Sequence, residues 1–164
     1  MLLVGDLKQK VWWEYLEADL QGLLVESQLL VQKVGLWEER FHDYSFVVFP
    51  ASKAYEGFLK KLFLDLGFIT KDDYYGKRFR IGKVLNPQLE AYLRKKESVY
   101  DRIVNFCGGT KLADKLWETW RVCRNLVFHW FPDEKRVITF EEARSRVENV
   151  IEAIDEAYKE CRLK

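Results

Sequence analysis

Arg124, Asn125 and His129 stand together in the run RNLVFH, in a chain of 164 residues that holds only two histidines. Each type has a distinct chemistry. A guanidinium grips two oxygens of a phosphate or carboxylate at once. An imidazole titrates at about pH 6.5, so it can give or take a proton near neutrality. On an ideal helix, advancing about 100° per residue, Arg124 falls within the apolar stripe of Ala113, Leu116, Trp117, Trp120 and Val127. Asn125 and His129 share the neighbouring face, with Arg121 one turn earlier. A guanidinium fully buried in that stripe costs on the order of several kcal/mol unless it is paired. Two readings fit. In one, these are the working groups of a site that clamps an anion and moves a proton. In the other, Arg124 snorkels from the core edge to a carboxylate while His129 caps the helix C-terminus, where the dipole favours it.

The elements that must carry these residues are helical throughout. Residues 6–34 (DLKQKVWWEYLEADLQGLLVESQLLVQKV) repeat apolar positions at three, four and seven, which predicts one long amphipathic helix. The segment GLWEERFHDYS then reads as a connector or short helix, with His42 a structural residue. A second helix is predicted from Pro50 to Leu66. Proline suits its first turn, and Gly67 stops it. Residues 69–86 (ITKDDYYGKRFRIGKVLN) have no helical period and read as an excursion, with a small hairpin as one form. Helical pattern resumes over 87–96 and 98–106, before the pair Gly108-Gly109. Thr110 can cap the motif helix, expected over 112–130, and Pro132 marks its end. Thr139 and Glu142 form a capping box for the last helix. The expected fold is all-α, an antiparallel helical bundle with an additional long N-terminal helix. Residues 1–44 make an N-terminal helical segment and 45–164 the helical domain.

Bulk properties narrow the classes. Hydrophobic residues make up 48% and aromatics 15%, enough for a large core. The formal charge of +1 gives no overall field toward nucleic acid or membrane, so binding to a polyanion needs a local patch. Three cysteines without ligand spacing read as reduced thiols of a cytoplasmic protein. The opening MLLVGDLK is too short an apolar run for a signal peptide, and no stretch is long enough to span a bilayer. With no HExxH or CxxC, neither a metal site nor a cofactor is expected.

An arginine, a polar residue directly after it and a histidine four to six residues beyond the arginine, late in an all-α domain, resemble the motif of the HEPN superfamily. Upstream, PASKAYEGFLKKLFLDLGFI resembles the first helix of the nuclease domain of RnlA-type toxins, where a basic residue and a glutamate three apart join the active site. Lys53 and Glu56 hold those places. The family's first position is more often arginine, and lysine keeps the cation without the bidentate fork. The resemblance covers about residues 45 to 160. It implies a metal-independent endoribonuclease acting as a toxin or defence protein with an antitoxin partner, with Arg124, Asn125, His129, Glu56 and Lys53 catalytic.

Such cleavage needs a base for the ribose 2′-hydroxyl, a cation for the phosphorane-like transition state and an acid for the leaving 5′-oxygen. A single histidine at the motif in each chain points to a homodimer with a composite site, matching what the resemblance implies. Val122, Leu126 and Trp130 offer apolar surface beside the motif. Arg121, Lys77, Arg78, Arg80 and Lys83 are the candidate RNA contacts, with Tyr74, Tyr75 or Phe79 stacking on bases; the other reading of residues 72–83 is a solvated loop with its aromatics tucked into the core. The alternative to an enzyme is a non-catalytic HEPN-like module that binds a nucleotide or docks a partner such as a nucleotidyltransferase. A purely structural role for Arg124 is the third reading.

Overall fold

In the computed structural model, which describes residues 4–130, 132–133 and 136–161, all regular structure among those residues is helical. In chain order it comprises α1 (Val4–Lys8), a 3-10 turn (Trp13–Tyr15), α2 (Ala18–Val34), α3 (Ser45–Asp65), α4 (Lys71–Tyr75) and α5 (Ile81–Val84). There follow α6 (Ala91–Glu97), α7 (Val99–Cys107), α8 (Lys111–Trp120), a π-helical turn (Arg121–Asn125) and α9 (Phe140–Glu160).

Helix α3 is central because its buried residues form a broad apolar face, roughly half of its circumference. Val47, Val48, Ala51, Ala54, Tyr55, Phe58, Leu59, Leu62 and Phe63 are all buried, so it must be covered on several sides. Helix α2 packs on one side and α9 with the π-turn on others. The contacts fix directions. Leu20 lies over Gly57, while the Ser27 hydroxyl donates to Val47 O, so α2 and α3 run antiparallel. Tyr55 donates to Leu116 O and Ser52 meets Cys123 O, which sets α8 antiparallel to α3. Lys115 faces Glu152 and Cys123 faces Arg146, giving the same relation between α8 and α9.

Several expected boundaries move. The single rod over 6–34 is broken between α1 and α2, where Leu16 and Glu17 are extended. The bend turns Trp12, Trp13 and Leu16 into the same core as α3 and α9, and Trp12 Nε1 donates to Asp155 on α9 at 3.0 Å. Burying two indoles outweighs helical continuity here. Helix α3 begins at Ser45, not Pro50, because Asp43 accepts from the Ser45 N–H at 3.1 Å and from its hydroxyl at 2.9 Å. Pro50 therefore sits inside the helix, where it cannot donate to Phe46 O.

The 69–86 excursion holds no hairpin; it forms α4 and α5. A Thr70/Asp73 capping box starts α4, and buried Ile81, Val84 and Leu85 anchor α5. Gly67, at φ 69°, closes α3 in the left-handed region. Helix α6 starts at Ala91 rather than at Pro87, Thr110 flanks α8 without a side-chain cap bond, and the Thr139/Glu142 box opens α9 as expected. No helix among the described residues is long and apolar enough to cross a membrane.

Candidate functional site

The motif does not lie on a straight helix. After Trp120 the chain widens into the π-turn, and Leu126 N–H donates to Arg121 O at 2.9 Å, five residues back. The helix then ends at Asn125, short of the Trp130 that the sequence pattern predicts. Tertiary partners take up carbonyls near this end. Arg146 Nη1 on α9 donates to Val122 O at 3.3 Å. The Ser52 hydroxyl on α3 lies 2.6 Å from Cys123 O and 3.0 Å from Val48 O, donating to one at a time. Cys123 is buried, and burial pushes its thiol up to about 12. The turn is thus held from both sides, by α3 and α9.

Arg124 is not buried in the core stripe. It and Glu56 each leave 37% of the side chain exposed, and Arg124 Nη2 lies 3.6 Å from Glu56 Oε2. Its guanidinium carbon sits 5.3 Å from the centre of the Trp120 ring, so Trp120 fills the core and Arg124 covers it. Solvent and Glu56 together remove the burial cost expected from the straight wheel. A half-exposed pair at this separation contributes about 0–1 kcal/mol. The ion pair alone therefore adds little, and the contact with the Trp120 ring adds about 0.5–1 kcal/mol.

Two clefts meet at this pair. A small one, about 120 Å³, is lined by Phe49, Ser52, Lys53, Glu56, Arg124 and Phe128. Lys53 is exposed, with Nζ 5.8 Å from the centre of the Phe49 ring. The Phe49 and Phe128 rings meet edge to face at 5.5 Å. The other cleft, about 460 Å³, has Glu56, Trp120, Arg124 and Asn125 on one wall and Phe79 to Lys83 on the other. A larger cleft, about 640 Å³, holds His42 between the connector and the start of α9 and shares no lining residue with either.

Lys53, Glu56, Arg124 and Asn125 are brought together, and Arg80 joins them across the larger of these two clefts. His129 lies beyond the π-turn, exposed and off the helix, so it does not share a helical face with Asn125. Arg121 turns away to Glu118, with hydrogen bonds of 2.8 and 2.6 Å that hold its guanidinium more firmly charged. Lys77 and Arg78 are exposed and line neither cleft.

The sequence pattern gave no sign of the aromatic edge of the site. Phe46 and Phe49 sit on the exposed side of α3, and Phe49 is 51% exposed beside Lys53. A helix start at Ser45 would have put both on the turns just before Lys53. Among the described residues there is no cluster of three or more metal-ligating side chains. Comparisons with protein-family models, curated proteins and solved structures return no match for this chain.

Proposed function

We propose that the protein is a metal-independent endoribonuclease of the HEPN type. The observation that carries this reading is the Arg124–Glu56 pair. It joins the π-turn to α3 at a solvent-open edge, one helical turn from Lys53 and flanked by Asn125. An arginine whose pairing contributes so little to stability has a reason to be there if it clamps phosphate. Glu56 aims the guanidinium and Asn125 donates to a phosphate oxygen.

A histidine acting as base takes the proton from the ribose 2′-hydroxyl. The 2′-oxygen bonds to phosphorus, the P–O5′ bond breaks, and a protonated histidine gives the 5′-oxygen its proton. Arg124 and Lys53 balance the extra negative charge as it builds. The products are a 2′,3′-cyclic phosphate and a 5′-hydroxyl. His129 supplies one histidine, and a second copy of the chain supplies the other across a two-fold axis. Exposed Phe49 and Trp130, the latter 72% exposed, give that interface apolar surface next to the site.

The wider role, a toxin or RNA-targeting defence protein restrained by an antitoxin, rests on the resemblance of Arg124-Asn125-His129 and Lys53/Glu56 alone. Purified protein incubated with RNA in EDTA should cut it, and Arg124→Ala or His129→Ala should lower the rate by about 10²–10⁴-fold. Cutting that survives both substitutions removes the catalytic assignment. Sedimentation should give twice the 19.6 kDa chain mass; a monomer at working concentration removes the composite site.

A further inference from the structure

Three basic side chains near the site already have a carboxylate. Arg124 has Glu56, Arg121 has Glu118 and Lys83 has Glu97 at 2.5 Å. Arg80 is different. Its Nη1 donates to two backbone carbonyls, Lys77 O at 2.8 Å and Phe79 O at 3.3 Å, which fixes the plane of the guanidinium. Among the described residues it has no carboxylate partner, and its remaining N–H groups make no hydrogen bond. It lines the 460 Å³ cleft opposite Arg124 and Asn125, a volume within the range of about 300–1,000 Å³ typical of small-ligand sites.

The wall carrying Arg80 is held in place. Ile81, Val84 and Leu85 are buried, and Gly82 lies against the Trp120 indole, where a Cβ would come within 2.8 Å of Nε1. Trp120 is thus shared, with Gly82 on its indole nitrogen and Arg124 over its ring. The buried Trp120 therefore backs both the Arg80 segment and Arg124.

From this geometry we infer that the cleft is a second nucleotide subsite, in which Arg80 grips the RNA phosphate adjacent to the one held by Arg124. Phe79 gives the intervening nucleotide an apolar surface to rest on, and the Asn125 amide meets its polar edge. A single strand fits this arrangement, because stacking on a side chain requires a base freed from a duplex. The exposed Lys83–Glu97 pair is weak enough to exchange, which adds a second cation to the same wall. The inference rests on the ribonuclease reading for the identity of the strand.

The test uses the full chain and a short fluorescent RNA bearing 2′-O-methyl groups at every position, which cannot be cut by 2′-oxygen attack. Binding is followed by anisotropy over a series of salt concentrations. Arg80→Ala is expected to weaken binding about tenfold and to lower the slope of log K against log salt by about 0.7, the value for one lost single-strand phosphate contact. Lys111→Ala, which removes an exposed charge at the start of α8, should leave the slope unchanged. Melting curves confirm that both variants fold. An Arg80→Ala slope equal to wild type, an equal effect of Lys111→Ala, or no binding by wild type each overturns the subsite. Binding that depends on Arg80 while unmodified RNA goes uncut keeps the subsite and removes the ribonuclease reading.

Discussion

Arg124 is costly inside an apolar stripe only if the stripe closes over it, and the structure leaves it open. Its ion pair with Glu56 at 3.6 Å is half exposed, so the pair aims a cation more than it stabilises a fold. Glu56→Gln should therefore shift the melting temperature by no more than a few degrees, from a loss of about 0–1 kcal/mol. The cleavage rate should fall about tenfold, because the guanidinium loses its aim. A large fall in stability with unchanged cleavage would show the reverse, a structural pair. At this scale much was legible. The wheel marked Arg124 as a residue in need of a partner, and the resemblance placed Glu56 in the same site. His129 was legible as a residue but not in position, since its place depends on where the helix stops. Nothing in the spacing of Arg80 distinguished it from Lys77 and Arg78; only the carbonyls that orient it do.

The element that decides the site is the π-turn at Arg121–Asn125. RVCRN has no breaker, and its local sequence reads as continuous α-helix. The turn is held by groups distant in sequence, Ser52 on α3 and Arg146 on α9, so no local pattern shows it. Ser52→Ala removes the only side-chain partner of the buried Cys123 carbonyl among the described residues. It should destabilise the protein by about 1–3 kcal/mol in urea titration, the cost of an unmet buried polar group. It should also slow cleavage, although Ser52 need not touch RNA. Full stability in this variant would mean that the turn holds without it. The same contrast runs through other elements. The Thr139/Glu142 box is local and so legible in the sequence. The Thr70/Asp73 box was equally local, but the glycines and charges around it pointed to a hairpin. The break near Glu17 answers to Asp155, far along the chain, and was not legible.

Across the whole molecule, an apolar core packs around α3 while the charges stay at the rim, and several rim carboxylates titrate below their ordinary range. The Arg94 guanidinium lowers Asp101, and bonds from the Thr70 backbone and hydroxyl lower Asp73. Burial pushes Asp155 up, but Lys159, Lys10 and Trp12 outweigh it, and the net direction is down. Because these folded values lie below the unfolded value of about 3.9, the unfolded chain binds more protons as acid is added. Their stabilisation is present above that pH and is lost as pH falls through the folded values. Urea midpoints should accordingly stay level near neutrality and drop below about pH 4; a midpoint that held constant there would contradict these pairings. The all-α class was legible from periodicity, because each long helix repeats its apolar residues on one face. The proposed activity depends on how α3, α8 and the π-turn meet at Arg124, and the chemistry of the cut ends tests it most directly. RNA incubated with the protein in EDTA should yield fragments whose 5′-hydroxyl ends accept phosphate from polynucleotide kinase without prior phosphatase, and whose other ends carry 2′,3′-cyclic phosphate. Fragments with 5′-phosphate ends, or RNA left whole, would contradict the account.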